Sequence, residues 1–220
     1  MLDSTLHIGY AGSLKGHVPG SEHQPWWRPI ADWVWTFRNR NLKHHTRSGY
    51  YLLQGMAHLR DTSEHPPKIH LHLWGLIDPI HQTQVDAMGL SDLVTIEGYF
   101  SKPESAAKLA ACDVLFLPLE TSDDPLFIPG KVFDYMRLGK PVLALGPASD
   151  CTRILERAGL GIHVAPEPAE EVAATLAQLV GQKHQLPELY QADQAYIEET
   201  FHFSHLAERM DAVFQQVLSS

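Results

Sequence analysis

Twenty residues in the second half of the chain, Phe127-Ile-Pro-Gly-Lys-Val-Phe-Asp-Tyr-Met-Arg-Leu-Gly-Lys-Pro-Val-Leu-Ala-Leu-Gly146, constrain its architecture more than any others. Pro129 and Gly130 break whatever precedes them. From Lys131 the apolar residues fall at Val132, Phe133, Met136 and Leu138, the spacing of a helix with one buried side. Gly139 ends that helix, because a left-handed terminal residue costs glycine little. Pro141 forbids continuation, and Val142-Leu143-Ala144-Leu145 is a short apolar strand. A loop, a helix start, a helix and a buried strand in this order belong to an α/β fold.

The flanking chain repeats the pattern. Leu6-His7-Ile8-Gly9-Tyr10-Ala11 alternates as a strand and runs into Gly12-Ser13-Leu14-Lys15-Gly16. Tyr51, Leu52, Leu53, Met56 and Leu59 form a helical stripe, and Ile69–Gly75 reads as the next strand. A short helical segment spans Gln82 to Met88, followed by the strand Val94–Glu97 and the turn Gly98-Tyr99-Phe100. Ser101 and Glu104 have the spacing of a reciprocal capping box opening another helix. Asp113–Leu119 is apolar throughout, as suits a strand covered on both faces of a parallel sheet. Asp150 is placed to cap a helix ending at Gly159, and Leu160–Val164 is a last strand. Helical patterns follow over Glu170–Val180, Ala192–Glu199 and Ser204–Leu218. About six strands alternating with helices predict a doubly wound, Rossmann-like parallel sheet with helices on both faces. Right-handed crossovers then set every strand's C-terminal end along one edge, where ligands bind.

Composition narrows the function classes. The chain of 220 residues carries a formal charge of −9, which gives no electrostatic support to a nucleic-acid partner. Two cysteines make no disulfide framework and suit a reducing compartment. No run approaches eighteen apolar residues and no signal peptide is evident, so a cytoplasmic, soluble protein is expected. His70 and His72 project from one strand face, but no third ligand of convincing spacing follows them, so no metal site is expected. Asp123 and Asp124 are adjacent rather than spaced as a metal-binding pair, and read as a solvated loop. Residues 17–47 are too long for a βα loop. Trp26, Trp27, Ile30, Trp33, Val34 and Phe37 give this insertion an aromatic helical face beside Arg28, Arg38, Arg40 and Lys43. An ordinary packed insertion, a domain interface and a peripheral membrane contact through 26–43 all remain open.

The helix beginning at Lys131 also offers chemistry. Backbone amides at a helix N-terminus with a cation in the first turn make a place for a phosphate. Asp134 lies three residues on, a neighbour on the same face able to accept hydrogen bonds from a diol. A solvated Lys and Asp on a surface helix is the plain alternative.

Gly130-Lys131-Val132-Phe133-Asp134-Tyr135, followed by Gly139-Lys140-Pro141-Val142-Leu143, resembles the donor-binding signature of GT-B glycosyltransferases of group 1 (family 4). That subgroup commonly reads Lys-x-x-Glu-Tyr and then Gly-Lys-Pro-Val. Here Asp134 stands for the Glu, with a reach about 1.5 Å shorter, and Leu126 stands where the fuller pattern has another Glu. The resemblance implies a nucleotide-sugar-binding C-terminal domain over 1–220, with helices at 187–218 and the N-terminal acceptor domain of the pair absent. It implies that Gly12, Ser13 and Leu14 border the donor diphosphate and that Gly98, Tyr99 and Phe100 lie beside the base. It also implies that Gly130, Lys131, Val132 and Asp134 complete the donor site. Lys131 and Arg47 would stabilise the leaving diphosphate, without metal or other cofactor. A sugar would pass from a nucleoside diphosphate to a glycan or lipid-linked acceptor, as in polysaccharide biosynthesis. A sugar-nucleotide epimerase fragment and a non-catalytic nucleotide-sugar-binding module are the alternatives.

Overall fold

A computed structural model of the chain describes residues 4–16, 47–119 and 128–218. The aromatic insertion with its proposed membrane contact, the Asp123-Asp124 pair and Leu126 lie outside these residues. Six strands form one parallel sheet: β1 (Leu6–Leu14), β2 (Ile69–Ile77), β3 (Val94–Glu97), β4 (Val114–Pro118), β5 (Val142–Leu145) and β6 (Gly161–Val164). Their order is β3-β2-β1-β4-β5-β6, the doubly wound arrangement expected. The chain reverses direction across the sheet between β1 and β4, and the C-terminal ends of these two strands flank the switch point.

The helices are α1 (Tyr50–Thr62), α2 (Ile80–Ala87), α3 (Lys102–Ala110), α4 (Lys131–Leu138), α5 (Asp150–Arg157), α6 (Ala169–Gly181), α7 (Leu186–Leu189), α8 (Gln194–Phe201) and α9 (Phe203–Leu218). Strand alternation sorts the core into two layers. Leu6, Ile8, Leu71, Leu73, Phe116 and Leu143 pack against α1 and α6 on one face. Leu115, Leu117, Val142 and Ala144 pack against α3, α4 and α5 on the other. β4 is buried along its whole length, as its unbroken apolar sequence required.

Local signals were mostly met. Ser101 and Glu104 close their capping box, with the Ser101 amide donating to Glu104 at 2.9 Å. Gly139 caps α4 at φ 62°, a left-handed conformation in which a side chain would be strained. Two readings are corrected. The cap of α5 is Ser149, whose hydroxyl faces the Thr152 amide, and Asp150 is the first helical residue. In α4, Tyr135 rather than Phe133 joins Val132 and Met136 inside, while Phe133 is 41 % exposed. An eight-residue helix makes barely two turns, so rotation by one position redistributes its stripe.

The apolar face of α9 is exposed at Leu206, Met210, Val213, Phe214 and Val217. No helix of the described residues is long and apolar enough to cross a membrane.

Candidate functional site

A cleft of about 700 Å³ opens at the C-terminal edge of the sheet, where β1 and β2 end and α3 and α4 begin. The end of β1 is shaped for close approach. Gly12 has φ 137°, and a Cβ built there would run into the Lys131 side chain, with its Cε 2.6 Å away. Only glycine permits both the backbone turn and the lysine against it. Tyr10, one turn of the pleat earlier, donates its hydroxyl to the Ser13 carbonyl at 2.5 Å, and its ring lies 5.2 Å from the Lys131 ammonium. The turn at 12–13 and the first turn of α4 therefore meet, although Ser13 and Lys131 are 118 positions apart in the sequence.

Electrostatics distinguish this cleft from the rest of the surface. Its walls carry Lys102, Lys131 and Arg137 against Asp134 alone, in a chain of net charge −9. Burial lowers the Lys131 pKa, the Arg47 charge lowers it further, and Asp134 opposes both. Arg47 thus stands close enough for its field to act on Lys131, and on Tyr10, whose hydroxyl burial pushes up to about 12. Two cations drawn together while one is half-desolvated favour an anion between them. Within α4 the Val132 and Phe133 amides bond back to Pro129 and Gly130 at 3.0 and 3.2 Å. The helix mouth is therefore formed by the amides that precede them.

The structure brings Gly12, Ser13, Tyr99, Phe100, Lys131 and Asp134 together on the cleft walls. Other residues named from the sequence stand elsewhere. Leu14 and Val132 turn their side chains into the two core layers, because they occupy inward positions of β1 and α4. Gly98 braces the floor, accepting from the Gly75 amide at 3.0 Å. Gly130 is the exposed cap residue of α4. Arg47 precedes the cap of α1 by two residues and reaches the site through its charge.

Sequence reasoning missed Trp74, Leu76, Lys102 and Ser105, all of which line the cleft. Their signal was positional. Trp74-Gly75-Leu76 closes β2 at the same sheet edge as Gly12, and Lys102 and Ser105 open α3 there. Trp74 donates from its indole nitrogen to Glu97 at 2.6 Å, and Glu97 pairs with Lys108 at 3.0 Å. The Lys108 ammonium also lies 4.2 Å from the Phe100 ring, so one ion pair fixes two aromatic walls.

Comparison with known proteins agrees with this geometry. Residues 40–182 match the family described as Glycosyl transferases group 1. No curated protein sequence matches the chain. Among solved structures, HepE from Anabaena, in complex with UDP and glucose, superposes at TM-score 0.62 with 18 % identity over 97 % of this chain and 49 % of its own. Sucrose-phosphate synthase from Thermosynechococcus elongatus gives 0.60 with 20 % identity, over 77 % and 42 %. TarM from S. aureus, in complex with Fondaparinux, α-GlcNAc-glycerol and UDP, gives 0.62 with 12 % identity, over 96 % and 36 %. The chain thus spans about half the length, or less, of these GT-B enzymes, consistent with their C-terminal domain. With a Rossmann-like sheet, a basic cleft at the C-terminal edge of its strands and a family match over most of its length, the chain belongs to the group 1 glycosyltransferases.

Proposed function

We propose that the cleft holds a nucleoside diphosphate sugar and that the chain is the donor-side half of a glycosyltransferase acting on a glycan or lipid-linked acceptor. The observation that carries this is the Lys131 ammonium seated against Gly12 inside a cationic cleft. In this reading the diphosphate lies between Lys131, Arg47 and the turn at 12–13. Asp134 accepts from the ribose or sugar hydroxyls, and the base packs by Tyr99 and Phe100. Charge accumulates on the leaving diphosphate as the glycosidic bond breaks, and fixed cations stabilise it where it develops. Among the described residues no group of three His, Cys, Asp or Glu side chains is arranged to hold a metal ion. Metal-independent donor binding is part of the proposal, with Lys131 and Arg47 meeting the charge of the diphosphate. Transfer needs an acceptor surface as well, so nucleotide binding is the activity to expect of these 220 residues.

Calorimetric titration with UDP, GDP and dTDP tests the reading. UDP is the first choice, since HepE is described with UDP and with UDP-glucose. Binding is expected to survive EDTA. Lys131→Ala is expected to weaken it ~10- to ~150-fold, the worth of one charge-assisted bond. Asp134→Ala is expected to cost less, up to about 10-fold, as a single hydrogen bond does. If none of the three nucleotides binds, or Lys131→Ala binds as well as the parent, the donor site is not here.

A further inference from the structure

The residues that directly follow Arg47 in the chain are anchored in a fully buried polar knot. Ser48 and His81 have no exposed surface. The partners of His81 dictate its protonation. The Asp78 carbonyl, 3.0 Å from Nδ1, can only accept, so Nδ1 carries the proton. The Gly49 amide, 3.1 Å from Nε2, can only donate, so Nε2 is the acceptor. The Ser48 hydroxyl sits 3.2 Å from the same nitrogen and receives the Tyr50 amide at 3.2 Å.

This knot does what a capping side chain does elsewhere. The cap residue of α1 is Gly49, which has no side chain to satisfy the first amides of the helix. The Ser48 hydroxyl takes the Tyr50 amide instead, and an imidazole from α2 takes the amide of Gly49. It is itself held at the start of α2, where the Asp78 carboxylate takes the Ile80 amide at 3.1 Å and the Asp78 amide donates to Leu14 at 3.1 Å. A Cβ on Gly49 would stand 3.1 Å from the imidazole Cδ2, so the ring also fills the space a larger cap would need. Burying four polar partners is costly unless all are satisfied. Closure of the helix start is already given by the Ser48 hydroxyl, which a free Ser could supply without a buried imidazole behind it. What the knot adds is a fixed exit direction for the residue just before it.

We propose that His81 is a positioning residue for Arg47. Its neutral imidazole fixes Ser48 and Gly49 so that the guanidinium is held beside Lys131, ready for a diphosphate. This rests on the donor-site reading above. Three variants, Arg47→Ala, His81→Leu and the double, are titrated with UDP, alongside His81→Gln, whose carbonyl oxygen can replace the Nε2 acceptor. His81→Leu is expected to lose about as much UDP affinity as Arg47→Ala, ~10-fold or more. The double variant is expected to bind no worse than Arg47→Ala, because an unplaced Arg47 and an absent one are equivalent. His81→Gln is expected to recover most of the affinity. Hydrogen exchange at the Gly49 and Tyr50 amides gives a reading without nucleotide, with protection lost in His81→Leu and retained in His81→Gln. Additive losses in the double variant, or Gly49 still protected in His81→Leu, overturn the proposal. A parent chain that fails to bind UDP overturns the donor site instead, and the exchange result alone then decides whether His81 holds this segment.

Discussion

The two halves of the sheet share one well-packed face and differ on the other. Along β4 and β5 the second face is sealed: Leu115, Leu117, Val142 and Ala144 are buried under α4 and α5. Along β1 to β3 the same face carries His7, His70, His72 and Thr95, all only partly covered. These side chains form a column. His7 and His72 stack with ring centres 5.4 Å apart and nitrogens at 3.1 Å, His70 bonds Thr95 at 2.7 Å, and His72 stacks on Trp74 at 5.3 Å. One wall of the cleft, α4, is thus rooted in close-packed core. The other, around Trp74, stands on a ladder of partly solvated rings. Positioning a charge needs the first kind of support, and Lys131 is on that side.

The sharpest way to break this contrast is to truncate one residue of that second face in each half. Leu117→Ala, in the sealed half, is expected to cost about 2–5 kcal/mol of unfolding free energy. His72→Ala, in the open half, is expected to fall well below that, near the typical ~1 kcal/mol of a point substitution. Denaturant unfolding of both variants checks it, and equal losses would mean that the imidazole column is packed as a core.

A second test uses protons. Burial, with the neighbouring His70 and His7, lowers the His72 pKa from 6.5 to about 4 despite the opposing pull of Glu97. Burial also lowers that of His70. A histidine depressed in the folded state takes up its proton more readily when unfolded. Its contribution is complete above pH 6.5 and is lost as pH falls toward 4. Stability measured by denaturant unfolding should therefore decline between about pH 7 and about pH 5, and His72→Gln should flatten that slope. An unchanged slope in His72→Gln would assign the decline to other groups, buried His81 first among them.

What the sequence disclosed follows the same division. The sealed half announced itself, since an unbroken apolar strand belongs under cover on both faces and a Gly-Lys-Pro turn stops a helix. Lys131 and Asp134 were legible because one short helix holds both. His70 and His72 were seen to share a face, but His7 was not joined to them, because the β1–β2 register that pairs His7 with His70 is a tertiary fact. The same limit hid Trp74 and Lys102, whose place in the cleft depends on which strands end together. It hid His81 most completely, since a lone histidine in a short amphipathic segment gives no sign of capping another helix. Leu14 and Val132 show a further limit: a motif names neighbours in sequence, while alternation on strand and helix turns every second or third side chain inward.

The smallest effect concerns the brace between the column and the cleft. Glu97 is held in its ionised form first by Lys108 and then by the Trp74 indole. Glu97→Gln keeps an acceptor for that indole while removing the charge that holds Lys108. Both partners of the pair keep a good part of their side-chain surface in water, 34 % and 42 %, so the stability cost should stay within the ~0–1 kcal/mol of a surface ion pair. UDP affinity should shift by less than ~5-fold, the same free energy expressed as binding. Glu97→Leu differs in kind: it strips the indole N–H of its partner beside the cleft, and a larger loss of affinity than for Glu97→Gln is expected. Calorimetry on the two variants separates these effects. If Glu97→Gln weakened UDP as strongly as Lys131→Ala, charge on the β3 side would matter as much as charge on α4. The open half would then be part of the electrostatic grip rather than a scaffold for its aromatic wall.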